Sequence, residues 1–161
     1  MTAPTAGQDV RSDIADISAV LVRYATGIDR RDWKLLRTCF TDACEADYGD
    51  IGRWLDADAL TAYMEHAHAR CGHLMHRVTN TEVTLDGDTA TARSYCDAFV
   101  LGPDNDDGMQ ASGRFDDDLV RTDQGWKITR RRYTLALLRP VRNSARLLGG
   151  SGGSGDSHEP R

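Results

Sequence analysis

The sequence predicts an α+β fold in which three N-terminal helices pack on one face of a curved, mainly antiparallel sheet. Apolar residues recur at helical spacing as far as about residue 72 and alternate with a period of two from residue 73 onward. Turn-forming residues then separate the alternating segments, at Asp86-Gly87-Asp88 and Asp123-Gln124-Gly125. Helices followed by consecutive strands are typical of the α+β class.

The first helix is predicted to begin near Ser12 or Asp13, because either side chain can cap free N–H groups. Its apolar residues lie three or four positions apart and share one face: Ile14, Ile17, Leu21, Tyr24 and Ile28. Asp32 is a suitable cap for a short second helix with Trp33, Leu36 and Phe40 on its inner side. Asp56 or Asp58 caps a third helix, for which Gly72 is a suitable C-terminal residue.

The remaining segments are predicted to be strands. Two short strands, 44–48 and 51–55, lie between the second and third helices. Four long antiparallel strands follow, at 73–85, 89–101, 109–121 and 126–138. Asp116-Asp117-Asp118 within the third of these is interpreted as a solvated or edge-protecting segment.

Composition indicates one globular domain with short terminal extensions. Residues 1–10 are predicted to be a disordered lead-in, residues 11–143 a single domain, and residues 144–161 a flexible Gly/Ser-rich tail. Of the 161 residues, 40% are apolar and 28% charged, as in ordinary soluble domains. A net charge of −5 is no reason to expect nucleic acid or an anionic membrane as a partner.

The cysteines indicate a reducing compartment. Residues 1–8 do not resemble a signal peptide, and no C-x-x-C spacing occurs. We therefore expect a cytoplasmic protein with reduced cysteines, with disulfides as the minor alternative. The four cysteines are Cys39, Cys44, Cys71 and Cys96.

Asp29 occupies an unfavourable place, at the carbonyl end of the first helix, where the helix already carries partial negative charge. A carboxylate there calls for a donor or a cation as its partner. His76 is a candidate, because Leu74, His76 and Val78 alternate onto one face of their strand. A core histidine and a solvated aspartate are the alternative interpretation of these two residues.

The layout resembles a known family. An Arg23-Tyr24 pair followed by Asp29 closes the first helix, and Gly125-Trp126-Lys127-Ile128 begins the last strand. Together with the order of elements, this resembles the SnoaL-like branch of the nuclear-transport-factor-2-like superfamily. That branch includes polyketide cyclases, scytalone dehydratase, bile-acid 7α-dehydratase and hexachlorocyclohexane dehydrochlorinase. The resemblance implies a cone-shaped α+β barrel and a site inside the cone, but one fold hosts many functions.

The same resemblance implies the site residues. It pairs Asp29 with His76 as an oriented general base, and it assigns Tyr24 and Tyr48 to the pocket as hydrogen-bond donors. Tyr24 fits core packing equally well. It also places one arginine of the last strand in the site, at Arg131, although the neighbouring Arg130 and Arg132 leave the register open.

The expected function is that of a cofactor-independent lyase or cyclase acting on a small hydrophobic hydroxylated or carbonyl substrate. A non-catalytic ligand-binding or assembly module and a small subunit of an oxygenase are the alternatives. No cofactor and no metal site are expected: His66 and His68 face different directions on their helix, and His73 and His76 lack further ligands. By resemblance, a homodimer or homotrimer is expected, with neither nucleic acid nor membrane as a partner.

Overall fold

Three helices precede a long antiparallel meander in the computed structural model of the chain, which describes residues 6–143. The predicted α+β class is confirmed. In chain order the elements are α1 (Ala6–Arg30), α2 (Trp33–Arg37), β1 (Phe40–Asp47), a 3-10 turn (Gly49–Ile51), β2 (Arg53–Trp54), α3 (Ala57–His68), β3 (Leu74–Asp86), β4 (Thr89–Leu101), β5 (Asp107–Thr122) and β6 (Gly125–Arg142).

The strands form one mixed sheet in the order β2-β1-β6-β5-β4-β3. Every neighbouring pair is antiparallel except β1 and β6, which run parallel. The tight turns of the meander depend on Gly87 (φ +59°) and Gly125 (φ +95°), where side chains are disfavoured. The cone implied by the resemblance is present, but its sheet stays open: within residues 6–143, β2 and β3 are free edges.

The helices cover one face of this sheet and form the core with it. Ile17, Leu21, Tyr24 and Ile28 of α1 are each at most 2% exposed, as their helical spacing predicts. None of the helices in the described part of the chain is long and apolar enough to cross a membrane.

The beginning of α1 differs from the prediction. The helix starts at Ala6, so residues 6–10 of the predicted lead-in are helical, whereas residues 1–5 and the tail 144–161 lie outside the described residues. Asp13 does not cap the helix. Its carboxylate accepts hydrogen bonds from Arg121 at 2.7 Å and from the indole nitrogen of Trp126 at 3.1 Å, which ties α1 to the sheet.

The boundaries of the next elements also shift. Asp32 caps α2 by accepting from the Leu35 amide at 2.9 Å, as predicted, but α2 ends at Arg37 and Phe40 begins β1. Asp56, the first of the two predicted caps, accepts from the Ala59 amide at the start of α3. That helix ends at His68, before the predicted Gly72.

The end of α1 is held by an αL turn. Arg31 has φ +54°, its amide donates to the Ile28 carbonyl, and the Asp32 amide donates to the Gly27 carbonyl at 2.8 Å. These bonds are those of a Schellman motif. The Arg31 guanidinium then donates to the carbonyls of Cys71 and Gly72, both at 2.7 Å. The end of α1 is thereby fastened to the segment that leads into β3.

Two irregularities in the pairing of β5 with β6 decide which side chains face the helices. The first lies between Asp118 and Leu119 and the second between Ser112 and Gly113. Trp126 and Ile128 face inward, and after the first irregularity the inward position falls on Arg131 instead of Arg130. An extra residue in one strand reverses the alternation beyond it, which is the usual effect of a β-bulge.

The interpretation of Asp116-Asp117-Asp118 as a solvated or edge-protecting segment is wrong for its central residue. β5 lies between β4 and β6, so this is not an edge of the sheet. Asp117 faces the helices and is 2% exposed, whereas Asp116 and Asp118 face outward and pair with arginines.

Candidate active site

Asp29 and His76 are joined by two hydrogen bonds. The His76 backbone amide donates to one carboxylate oxygen of Asp29 at 2.9 Å, and the ring Nδ1 lies 2.7 Å from the other. The side chains are 10% (His76) and 24% (Asp29) exposed. Both donors compensate the unfavourable position of the carboxylate in the last turn of α1.

This contact determines the tautomer of His76. An ionised carboxylate only accepts hydrogen bonds, so Nδ1 carries the proton and the neutral ring has its lone pair on Nε2. Nε2 makes no hydrogen bond with any residue in the range 10–143. The bond to the backbone amide also fixes the carboxylate relative to β3, so the orientation of the ring follows from the fold.

A second histidine packs against the first. The rings of His68 and His76 meet edge to face, 6.4 Å between centroids, and Trp33 lies on another side of His68 at 6.3 Å. His68 Nδ1 lies 2.8 Å from the Met64 carbonyl, an acceptor only, so this nitrogen bears a proton. Burial lowers the pKa of His68, and the neighbouring His76 lowers it further, so the ring is neutral near pH 7.

Small side chains lie beside His76 on the inner face of the sheet. The row that begins at His76 continues across β4 and β5 with Ala98 and Ala111 and ends on β6 with Leu138. The next row runs from Val78 through Cys96 and Gly113 to Leu135. Leu135 and Leu138 remain 45% and 54% exposed. These rows form a floor of small residues bordered by apolar side chains, which we call the inner floor.

Tyr24 and Tyr48 lie deeper, beyond the inner floor. Their hydroxyl oxygens are 2.9 Å apart, and the residues are 2% and 6% exposed. Burial raises the pKa of both hydroxyls, and the nearby charge of Arg131 opposes this effect. Both are therefore neutral donors and acceptors at any physiological pH.

Arg131 lies behind the two tyrosines and is completely buried. Its Nε and Nη2 donate to the two carboxylate oxygens of Asp117, each at 2.7 Å. The guanidinium carbon is 4.2 Å from the centre of the Tyr24 ring and 4.0 Å from that of Phe115. Nη1 is buried without a hydrogen-bond partner. Arg130 and Arg132 are exposed, so the register that the sequence left open places Arg131 inside.

Both groups of this buried pair are ionised. Burial alone would lower the pKa of Arg131, but the Asp117 carboxylate outweighs it and holds that pKa well above its usual range. Burial raises the pKa of Asp117 and the guanidinium opposes the rise. Because both carboxylate oxygens accept from a guanidinium that stays charged, we treat Asp117 as a carboxylate.

Tyr133 is a third tyrosine of the interior, and the sequence analysis did not single it out. Its ring packs 5.2 Å from Phe115 and 5.8 Å from Tyr48, and it is half-buried. Burial raises its pKa to about 12. Its hydroxyl has no hydrogen-bond partner among residues 10–143. Tyr133 lies on the same face of β6 as Arg131, which is two residues earlier. The sequence did not show that this face points inward, because the position of the bulge is known only from the structure.

Two of the cavities beside the sheet, in the part of the chain that the structure describes, are not lined by His76, Tyr24 or Tyr48. One, of about 590 Å³, is a charged groove on the outer face, lined among others by Arg93, Asp116 and Arg132. The other, of about 520 Å³, is mostly apolar and lies at the ends of β3, β4 and β6. Its wall is formed mainly by residues of the outer face of the sheet, such as Met75, Phe99 and Leu101.

The sequence therefore identified Asp29 and His76 as a pair, and the structure brings them together. It also joins Tyr24, Tyr48 and Arg131 into one buried cluster, whose contact with the dyad is not direct. Asp117, His68 and Tyr133 were missed as members of the interior. Their neighbours are distant in sequence, so no local pattern shows the contacts.

Comparison with known proteins places the chain among proteins of the same architecture. The model of the SnoaL-like domain matches residues 9–132. The uncharacterized protein Rv2910c of Mycobacterium tuberculosis (strain ATCC 25618 / H37Rv) is 32% identical over 123 residues, which are 74% of this chain and 83% of that protein.

Two solved structures are similar in fold. The Kfla4162 protein of Kribbella flavida superposes with a TM-score of 0.75 at 23% identity, covering 88% of this chain and 99% of that one. The hexachlorocyclohexane dehydrochlorinase LinA-type3 of Novosphingobium barchaimii LL02 superposes with a TM-score of 0.69 at 16% identity, covering 83% and 90%. At these identities the likeness concerns the fold alone. From the match over residues 9–132, the chain belongs to the SnoaL-like domain family.

Proposed function

We propose that the protein is a cofactor-independent lyase or cyclase that acts on a small hydrophobic hydroxylated or carbonyl compound, with His76 as its general base. The observation that supports this most is the pair of hydrogen bonds from His76 to Asp29. They orient the imidazole, hold the proton on Nδ1 and direct the lone pair of Nε2 away from Asp29. A histidine so arranged is suited to take a proton near neutral pH.

Elimination of water uses this arrangement as follows. Nε2 of His76 takes a proton from the carbon next to a carbonyl group, and the electrons of that C–H bond form a carbon–carbon double bond. The bond from the neighbouring carbon to its hydroxyl group breaks. The departing oxygen takes the proton back from the imidazolium and leaves as water, so His76 returns to its neutral form. Asp29 stabilises the imidazolium between the two transfers.

The inner floor and the buried cluster supply the rest of the proposed site. Small residues line β4 and β5 there, and the exposed Leu135 and Leu138 offer apolar contact to a hydrophobic substrate. Tyr24 and Tyr48, with Arg131 behind them, form a polar end that favours negative charge developing on a substrate oxygen. An aldol-type ring closure would use the same base and the same polar end. The similarity in fold to a dehydrochlorinase is consistent with this chemistry, but it is not evidence for the reaction.

A binding module of the same fold is the second candidate. It is favoured by the two cavities, because neither is lined by His76 or Tyr48. In that function Asp29 and His76 would only fasten α1 to β3.

The two candidates are separated by turnover. The purified protein is incubated with hydroxylated polyketides, steroids and terpenoids, and loss of water is followed by mass spectrometry. With an active compound, we expect His76→Ala and Asp29→Asn to lower kcat by at least about 100-fold, the usual contribution of a positioned base. His66→Ala is the matched control, since His66 is exposed on α3. If His76→Ala folds and keeps wild-type turnover, the catalytic proposal is wrong.

We also propose that the chain assembles into a homodimer or homotrimer through the outer face of the sheet. Met75 and Leu137 expose 45% and 47% of their surface on that face. Apolar side chains exposed on one face of a sheet favour association. Light scattering that shows only monomer at assay concentrations would contradict this assembly.

A further inference from the structure

The hydroxyl of Tyr133 differs from those of the other two interior tyrosines. The hydroxyls of Tyr24 and Tyr48 bond to each other, and the two residues are 2% and 6% exposed. Tyr133 is only half-buried, and its hydroxyl has no partner among residues 10–143. A polar group in an apolar interior is normally hydrogen-bonded, so a tyrosine hydroxyl left without a protein partner is a candidate ligand contact.

Gly113 determines where that hydroxyl lies. A Cβ atom at position 113 would come within 2.6–2.7 Å of the Cε2 and Cζ atoms of Tyr133. The hydroxyl-bearing end of the ring therefore lies directly over Gly113 in place of a side chain. Gly113 pairs with Cys96 and Leu135, so the phenol projects from its own row onto the inner floor.

His76 lies across the same floor. From Gly113 to His76 the path crosses two strand spacings and runs two residues along the strand. With about 4.8 Å between strands and about 3.4 Å per residue, the two backbones are about 12 Å apart. Both rings project from the same face of the sheet, and the residues between them are small: Cys96, Ala98 and Ala111. The length of this span is comparable to that of one small ring system with a polar contact at each end.

The groups between the two rings carry no competing charge. Cys96 lies within electrostatic range of both Tyr133 and Asp29, and burial raises the pKa of its thiol to about 11, so it is neutral. The Tyr133 hydroxyl, with its pKa of about 12, is neutral as well. It is therefore a donor towards an acceptor oxygen and cannot itself serve as a base near neutral pH.

We propose that Tyr133 donates a hydrogen bond to the carbonyl or hydroxyl oxygen of a ligand that lies on the inner floor between Tyr133 and His76. The ligand class is a neutral, mostly apolar ring compound with an oxygen at one end. Tyr133 thus fixes the orientation of the ligand, and the reacting carbon faces His76. The inference rests on the proposed function for the identity of the base, but not for the hydrogen bond.

The experiment uses 1-tetralone, a bicyclic ketone with one acceptor oxygen, labelled with ¹³C at its carbonyl carbon. The dissociation constant is measured by calorimetry, and the carbonyl stretch of the bound ketone by infrared difference spectroscopy. Tyr133→Phe removes only the hydroxyl and keeps the ring over Gly113. Tyr95→Phe is the matched control, since Tyr95 is 53% exposed on the outer face.

In the wild type and in Tyr95→Phe, we expect the stretch at a lower frequency than in an apolar solvent, as for a hydrogen-bonded carbonyl. In Tyr133→Phe the stretch should return towards its apolar-solvent value, and the dissociation constant should rise about 2- to 10-fold, as for loss of one neutral hydrogen bond. A structural role would not move the stretch.

Two results would overturn the inference: a Tyr133→Phe variant with the wild-type stretch and affinity, or a wild type that does not bind 1-tetralone at millimolar concentration. The outcome is independent of catalysis. His76→Ala should keep the shifted stretch, so the hydrogen bond of Tyr133 stands even if the assignment of His76 as base fails.

Discussion

Burial determines how much the Asp117–Arg131 ion pair contributes to the free energy of unfolding. The neighbouring ion pair on the same two strands, Asp118–Arg130, is exposed and serves as the comparison. Arg131 and Asp117 are 2.7 Å apart with both side chains 0% exposed. Arg130 and Asp118 are 2.6 Å apart on the outer face, with side chains 56% and 40% exposed. The two ion pairs thus have nearly equal length and opposite surroundings, so a difference in free energy reports the surroundings.

We expect Arg131→Met to lower the free energy of unfolding by about 3–5 kcal/mol, because it leaves the carboxylate of Asp117 buried without a counter-charge. Arg130→Met should cost less than about 1 kcal/mol, as exposed pairs do. The double variant Asp117→Leu/Arg131→Met removes both charges. It should therefore be more stable than Arg131→Met alone, with methionine still packed between the rings of Tyr24 and Phe115.

The assay is urea unfolding followed by circular dichroism at pH 7, with all variants compared at equal slope of free energy against denaturant. A single variant that is unfolded without denaturant is consistent with the expected loss, and the double variant then carries the test. The reasoning is refuted if Arg131→Met costs no more than Arg130→Met, or if the double variant is no more stable than Arg131→Met.

Three further predictions concern other contacts. Asp97 accepts from Ser112, Gln110 and Arg77, which lower its pKa to about 2. The ionised Asp97 therefore stabilises the fold fully above about pH 4, and this effect is lost as the pH falls towards 2. Asp97→Asn should lower the free energy of unfolding by about 1 kcal/mol at pH 7, allowing for solvent screening, and should have no effect near pH 2. Gly27→Ala should destabilise by about 1–3 kcal/mol, because its Cβ would lie 2.9 Å from the Leu36 amide nitrogen. Asp13→Ala should cost about 1 kcal/mol and change the fluorescence of Trp126, whose indole it binds.

Each of these predictions has a result that would contradict it. For Asp97→Asn, unfolding is measured from pH 2 to pH 7, and a cost independent of pH would contradict the linkage. For Gly27→Ala, a thermal midpoint equal to that of the wild type would show that α1 and α2 can separate at no cost. Asp16→Ala is the control for Asp13→Ala, since Asp16 is exposed on the same helix; equal effects of the two would refute the tie between α1 and Trp126.

Local patterns in the sequence were sufficient for the fold class, and they made His76 a candidate partner of Asp29. Helical spacing placed Ile17, Leu21 and Ile28 in the core, and strand parity placed His76 on the inner face of β3. The pairing of Asp29 with His76 was predicted from the family resemblance, and the unfavourable charge at the end of a helix supported it. The catalytic roles of Asp29, His76, Tyr24, Tyr48 and Arg131 remain predictions.

Some features of the chain follow from local patterns in the sequence, and others follow only from tertiary contacts. The sequence alone determined where periodicity changes from helix to strand, which residue caps α2, and which faces are apolar, because these depend on neighbours a few positions away. Only the tertiary structure decided that Arg131 and not Arg130 is buried, that Asp117 is its partner, and that the hydroxyl of Tyr133 reaches the inner floor. A single bulge opposite Asp118 reverses the alternation of β6. Its position follows from the pairing of two strands and not from the residues of either strand alone.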